Sequence, residues 1–156
     1  GYAPDKLETG TQNHEGIAAI RPAVEFIAGL GTGRNLAERI RSGFAAIEAH
    51  EHRLAARMRR ALGDIRGIRL YQAPETVAKT PTIAFRAEGW DPHEFCRRMC
   101  DEYGVFVADG DFYASTLAAK LGILESGGWI RAGLAPYNTE EEIERFLEGV
   151  RRLMGQ

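Results

Sequence analysis

The sequence predicts an α+β fold in which a long amphipathic helix leads into a small, largely antiparallel sheet with helices on one face. Three observations carry this. Leu36, Ile40, Phe44, Ile47, Leu54, Met58 and Leu62 recur at spacings of three, four or seven, which draws one apolar stripe along a helix. Beyond Gly67 the pattern shortens, and Ile68 to Tyr71, Thr82 to Ala87, Val105 to Ala108 and Trp129 to Leu134 form short runs rich in β-branched and aromatic residues. Helix-start signals interleave with those runs and follow them, as expected for helices layered on a sheet.

Taken in order, the first helix is read from Ile17 to Leu30, after Glu8-Thr9-Gly10-Thr11-Gln12-Asn13-His14-Glu15-Gly16. Free N–H groups at a helix start, Gly10 allowing close backbone approach and the Thr9 and Thr11 hydroxyls together suit an anion such as phosphate. Simple N-capping by one Thr or Asn accounts for the same residues. Gly29-Leu30-Gly31-Thr32-Gly33 reads as a C-cap and turn before the long helix, Leu36 to Leu62. It lacks the G-x-G-x-x-G spacing, a preceding strand and a following G-K-[ST], so a nucleotide loop is disfavoured.

Two strands follow, the second just after Pro81. Asp91-Pro92-His93-Glu94 then supplies an N-cap, a proline at the first helical position and a capping-box glutamate for a helix to about Tyr103. Phe112 to Leu121 reads as a loop with a short helix. Thr139 with Glu142 caps a terminal helix to about Leu153.

Composition fits one globular core: 156 residues, 44% hydrophobic, with 20 basic against 22 acidic side chains. No apolar run approaches a membrane span and no secretory leader pattern opens the chain, so no membrane is expected and a cytoplasmic setting is the default. Two cysteines on one predicted helix suit a reducing compartment. His93, Cys96 and Cys100 share a helical face, but no fourth ligand is apparent and free cysteine behaves as a small hydrophobe, so no metal is expected. His50 and His52 diverge around the long helix and read as surface residues. Arg57, Arg59 and Arg60 form a basic turn without interleaved aromatics, which argues against nucleic acid.

Arg131 is the foremost candidate site residue. Strand alternation sends Ile130, Ala132 and Leu134 one way and Trp129, Arg131 and Gly133 the other, so the arginine leaves the apolar layer. A guanidinium grips a carboxylate through two parallel hydrogen bonds; a solvated charge on an open strand face is the plainer reading. The loop Asp109-Gly110-Asp111-Phe112-Tyr113 combines two carboxylates, a permissive glycine and two aromatics, which suits either a pocket wall or an ordinary turn.

Three of these segments carry a resemblance. ETGTQNHEGIAAI, residues 8–20, resembles the segment that follows the catalytic-lysine region in class V pyridoxal-phosphate (PLP) enzymes, the aminotransferase and cysteine desulfurase superfamily of fold type I. WIRAGLAPYNT, residues 129–139, is similar to the family's closing strand and turn, and GVFVADGDFYA, residues 104–114, occupies the place of its active-site loop. The resemblance spans nearly the whole chain and is closest to cysteine desulfurase-like proteins. It implies a C-terminal portion, with residues 1–33 ending the large cofactor-binding domain and 34–156 forming the small domain with its long connecting helix. It further implies pyridoxal 5'-phosphate as cofactor, Gly10 and Thr11 at its phosphate, Arg131 on the substrate α-carboxylate and Tyr113 in the substrate pocket. An amino-acid substrate and a homodimer with a shared cofactor site are implied as well.

By the same resemblance the Schiff-base lysine belongs upstream of the first residue, since Lys6, Lys79 and Lys120 stand outside any similar motif. No catalytic residue is therefore assigned and the chain alone is expected to be inactive. Two departures matter. Tyr113 stands near the place of the desulfurases' nucleophilic cysteine, and Asp111 stands where the subgroup usually has histidine. The first shifts expectation from sulfur transfer toward transamination or elimination. The competing expectation is a non-catalytic small-molecule-binding or dimerisation module derived from this fold.

Overall fold

The computed structural model describes residues 2–8, 10–74 and 76–156. The chain forms two compact units, Gly1–Ala49 and His50–Gln156, with the division inside one long helix. That division lies beyond the glycine cluster at which the resemblance implies a domain boundary. Among the described residues no helix is long and apolar enough to cross a membrane.

The first unit holds a short 3-10 turn (Asp5–Leu7), helix α1 (His14–Gly29) and the beginning of α2 (Leu36–Gly63). Helix α1 starts three residues before the apolar run because Asn13, not a threonine, caps it: Asn13 Oδ1 accepts from the Gly16 amide at 2.8 Å. The turn into α2 is fixed by Ser42, whose hydroxyl accepts from the Thr32 amide at 2.8 Å and donates to the Thr32 carbonyl at 2.6 Å. Gly31 and Gly43 explain the glycine content here. A Cβ on Gly31 would run into the Arg39 carbonyl and the Gly43 amide, and one on Gly43 into the Ile27 carbonyl, so the two helices meet backbone to backbone.

Within α1 only Ala28 is buried. Ile17, Ile20, Phe26, Leu30, Leu36 and Phe44 are all exposed. The amphipathic faces that the periodicity announces are thus present, and within this unit the N-terminal half of the α2 stripe is left uncovered.

The second unit contains the rest of α2, β1 (Ile68–Tyr71), β2 (Thr82–Ala87), α3 (Pro92–Tyr103), β3 (Ala108–Gly110), α4 (Ser115–Lys120), β4 (Trp129–Gly133) and α5 (Glu140–Leu153). The four strands form one antiparallel sheet in the order β1-β2-β4-β3. One face presents Ile83, Phe85, Ala87, Ile130 and Ala132 to Leu54, Met58 and Leu62 of α2, Phe95 and Met99 of α3, and Ile143, Phe146, Leu147 and Val150 of α5. Phe85 sits fully buried at the centre, edge-on to Phe95 and Phe146 with ring centroids 6.0 and 6.2 Å away. The three long helices therefore occupy one face, as the pattern predicts. The six-residue α4 packs with Ile123 around Trp129 in a second, smaller cluster.

Side-chain caps start both α3 and α5. Asp91 accepts from the Glu94 amide at 3.0 Å, but the Glu94 carboxylate pairs with Arg97 instead of closing the expected capping box, whereas Thr139 and Glu142 exchange hydrogen bonds in a full one. The third strand differs from expectation: it begins at Ala108, not Val105. Gly104 adopts φ 63° and the Val105 amide donates to the Met99 carbonyl at 3.1 Å, so this stretch closes α3 before it can join the sheet. Val105 and Val107 still pack against the core while Phe106 is 85% exposed, which is why the run reads as a strand. His50, expected at the surface, is part-buried, with Nε2 2.9 Å from the Asn138 carbonyl.

Gly43→Ala is expected to destabilise the α1–α2 contact by about 1–3 kcal/mol through overpacking. Gly29→Ala, where a Cβ meets nothing, should be close to neutral. Faster amide exchange across α1 in the first variant, with α5 unchanged, is the measurement that checks it.

Candidate active site

The candidate site is built on the sheet face away from the three long helices. Along β4, Ile130 and Ala132 enter the core while Arg131 and Gly133 are exposed. Register places Arg131 between Ala84 of β2 and Ala108 of β3, two residues too short to crowd a guanidinium. Among the described residues no Asp or Glu forms an ion pair with Arg131. Its contact is aromatic: the guanidinium carbon lies 3.9 Å from the centroid of the Phe112 ring.

Phe112 reaches that position from an unusual backbone. Phe112 and Tyr113 have φ of 50° and 62°, consecutive left-handed conformations in residues with bulky side chains. Such conformations cost on the order of 1–3 kcal/mol each and persist only where the surroundings impose them. Asp111 supplies part of that constraint, its carboxylate accepting from the Tyr113 amide at 3.2 Å and its carbonyl from the Ala114 amide at 2.8 Å. Packing supplies the rest, because Phe112 and Ala114 border the cluster of Ala118, Ile123 and Trp129. Tyr113 projects fully into solvent.

The wall beside the arginine is stapled in place. Arg86, on the same face of β2, donates through Nη1 to the carbonyls of Gly128 at 2.7 Å and Ser126 at 3.2 Å. Gly128 has φ 73°, and a Cβ there would collide with the Gly110 carbonyl, so the loop before β4 rests directly on the end of β3. Trp129 is buried edge-on to Tyr71, with its indole N–H unpartnered among the described residues.

The two carboxylates of the loop part company. Asp109 pairs in register with Ile130 and therefore faces α3, with His93 Nδ1 3.4 Å from its Oδ1. Cys96 lies against it, buried, and its thiol is pushed up to about 12, chiefly by burial and then by the Asp109 charge. Of the pocket-wall reading, Phe112 is the loop residue seen against Arg131 among the described residues. Among the described residues no group of three His, Cys, Asp or Glu side chains is placed to hold a metal ion.

Gly10 and Thr11 belong to the first unit. Both are exposed, together with Leu7, Glu8, Gln12 and Asn13 around a shallow depression before α1. A Cβ on Gly10 would meet nothing, so its backbone is open to approach from outside. Thr9 lies outside the described residues. Of the three lysines, Lys79 donates to the Val77 carbonyl at 3.0 Å, Lys120 ends α4 and Lys6 lies in the 3-10 turn. Sequence reasoning missed Phe112 as a partner of Arg131, the Arg86 staple and the direction of Asp109. Strand parity could have given the last, since Asp109 is out of phase with Ala108, the neighbour of Arg131.

Comparison with known proteins places the chain in a family. The family model for class-V aminotransferases matches residues 2–146, and the chain belongs to that family, whose complete enzymes use PLP. A probable cysteine desulfurase of Xylella fastidiosa (strain 9a5c) is 34% identical over 156 residues, covering 97% of this chain and 33% of the relative. A cysteine desulfurase of Escherichia coli O127:H6 is 28% identical over 151 residues, covering 97% and 32%. Among solved structures, the Escherichia coli cysteine desulfurase CsdA superposes with TM-score 0.76 at 26% identity over 99% of this chain and 34% of that one. The apo cysteine desulfurase of Thermococcus onnurineus NA1 gives 0.80 at 25%, again over 99% and 34%. The chain thus spans about a third of the length of the relatives it matches.

The thiol geometry yields a prediction. Cys96 should resist iodoacetamide at pH 8 in the folded chain while half-exposed Cys100 reacts, and mass mapping should find both labelled after denaturation. Because folding raises the Cys96 value from 9.0 to about 12, its burial should cost stability as pH rises through that interval, not below it.

Proposed function

We propose that the chain is the C-terminal part of a PLP-dependent enzyme acting on an amino acid, inactive alone, that supplies contacts to the cofactor phosphate and the substrate carboxylate. Residues 1–33 close the large domain and 34–156 form the small domain with its connecting helix. The observation that carries this reading is Arg131: an exposed guanidinium with no acidic partner among the described residues, on the open sheet face where the family's substrate-carboxylate arginine is expected.

PLP, when bound, supplies an electron sink for cleavage of a bond at the substrate α-carbon. The residues present fit what surrounds such a group. Arg131 holds the carboxylate through paired N–H donors, fixing position and orientation together. Thr11 donates its hydroxyl to the phosphate, and Gly10 lets that oxyanion approach the backbone before α1. Asn13 already satisfies the Gly16 amide, so it acts as cap, not as ligand. Tyr113, fully exposed and next in sequence to the Phe112 that contacts Arg131, borders the substrate side chain. A phenol carries no sulfur and cannot take up the substrate's sulfur as a persulfide. This favours transamination or elimination over a persulfide route. The lysine that binds the cofactor lies in another part of the protein, and Lys6, Lys79 and Lys120 serve as surface charges.

The exposed apolar faces of α1 and α2 favour this reading over a self-sufficient binding module, which would not keep Ile20 at 61% and Phe44 at 54% exposure. The rest of the enzyme covers them. The enzyme works as a homodimer in which the segment around Thr11 serves the neighbouring subunit's cofactor.

In the complete enzyme, Arg131→Lys should raise the KM for the amino acid by about tenfold or more, as loss of a charge-assisted bidentate contact implies; an unchanged KM defeats the assignment. Thr11→Val should weaken PLP retention on gel filtration, read at the cofactor's absorbance, while leaving α1 intact. Borohydride trapping of the chain alone with PLP should label no lysine stoichiometrically. Selective labelling of Lys6, Lys79 or Lys120 would overturn the placement of the covalent attachment.

A further inference from the structure

We infer that Phe112 is the positioning residue that holds the Arg131 guanidinium ready for the substrate carboxylate; the inference rests on the carboxylate role proposed above. An arginine on an open strand ordinarily samples many rotamers, and ordering it on binding costs free energy that subtracts from affinity. Around Arg131 the usual restraints are missing. Its cross-strand neighbours are Ala84 and Ala108, and no acid among the described residues pairs with it. The ring of Phe112, 3.9 Å from the guanidinium carbon, takes their place.

The geometry suits the task. A ring stacked on a guanidinium covers its flat face, while the N–H donors radiate in the plane and stay free for two parallel bonds to a carboxylate. An acidic neighbour would restrain the arginine as well, but it would consume those donors and offset the charge. The backbone shows that the ring is placed under constraint. Phe112 and Tyr113 both adopt left-handed φ, and Asp111 bridges the turn while the Trp129 cluster anchors Phe112 from the other side. A relaxed turn would not direct this side chain across β3 to β4, and the local strain is the cost of aiming it.

Phe112 touches neither carboxylate nor cofactor in this account, so its effect falls on substrate capture. Two measurements test it. In the unsubstituted chain, the side-chain NMR resonances of Arg131 should show an upfield ring-current displacement, which Phe112→Leu abolishes and Phe112→Tyr preserves. In the complete enzyme, Phe112→Leu should raise the amino-acid KM about three- to tenfold, the scale of an exposed or partly desolvated cation–π contact. Its kcat should change by less than about twofold, as for loss of binding common to ground and transition states, and Phe112→Tyr should restore KM.

An undisplaced Arg131 spectrum in the unsubstituted chain overturns the inference without any variant having to fold. So does an unchanged KM in Phe112→Leu when Arg131→Lys raises it. If Arg131→Lys itself leaves KM unaltered, the carboxylate reading has failed, and the positioning role falls with it.

Discussion

Strand β4 has to satisfy two environments with five residues, and the rest of the second unit is arranged around that requirement. Ile130 and Ala132 belong to a core whose centre is Phe85, while Trp129 and Arg131 face the other way. A one-residue slip in register would drive the guanidinium into a dry hydrocarbon layer and expose the isoleucine. The apolar face therefore fixes the position of the polar one. Phe85, Phe95 and Phe146 interlock in edge-to-face contacts from the sheet, α3 and α5, and hold Arg131 in place without approaching it.

Much of this was legible in the sequence, and the physics explains which parts. Helices were readable wherever a short polar side chain satisfies backbone amides at a fixed offset: Asp91 with Glu94, and Thr139 with Glu142. The alternation along β4 gave the direction of Arg131 from parity alone. Val105 to Val107 misled because alternating burial is a property of extended backbone in general, and only the Gly104 cap shows that the segment is tied to α3 instead of to a strand. The pairing of Phe112 with Arg131 was not legible. It joins a loop to a strand nineteen positions away through two left-handed residues that carry no glycine to announce them.

Family membership sharpens the meaning of the departures. The relatives are named cysteine desulfurases, yet the loop carries Asp111, Phe112 and Tyr113, and both cysteines lie on α3. Cys96 is buried with its thiol held protonated, the opposite of what a nucleophile needs. The loop from Asp109 to Tyr113 thus offers two aromatic rings and no thiol.

The backbone contact between Gly43 and Ile27 has a mechanical consequence. Where two helices touch through main-chain atoms, no rotamer can swing to absorb a misfit, so the crossing acts as a pivot with little play. The Asn13 cap lies about 20 Å along the axis from that pivot, at 1.5 Å of rise per residue, and carries the preceding Thr11 segment with it. A small tilt at the crossing becomes a displacement several times larger at the lever's tip. The placement of a threonine near the start of the chain is in this way set by a glycine on the next helix, far from any atom the threonine could touch.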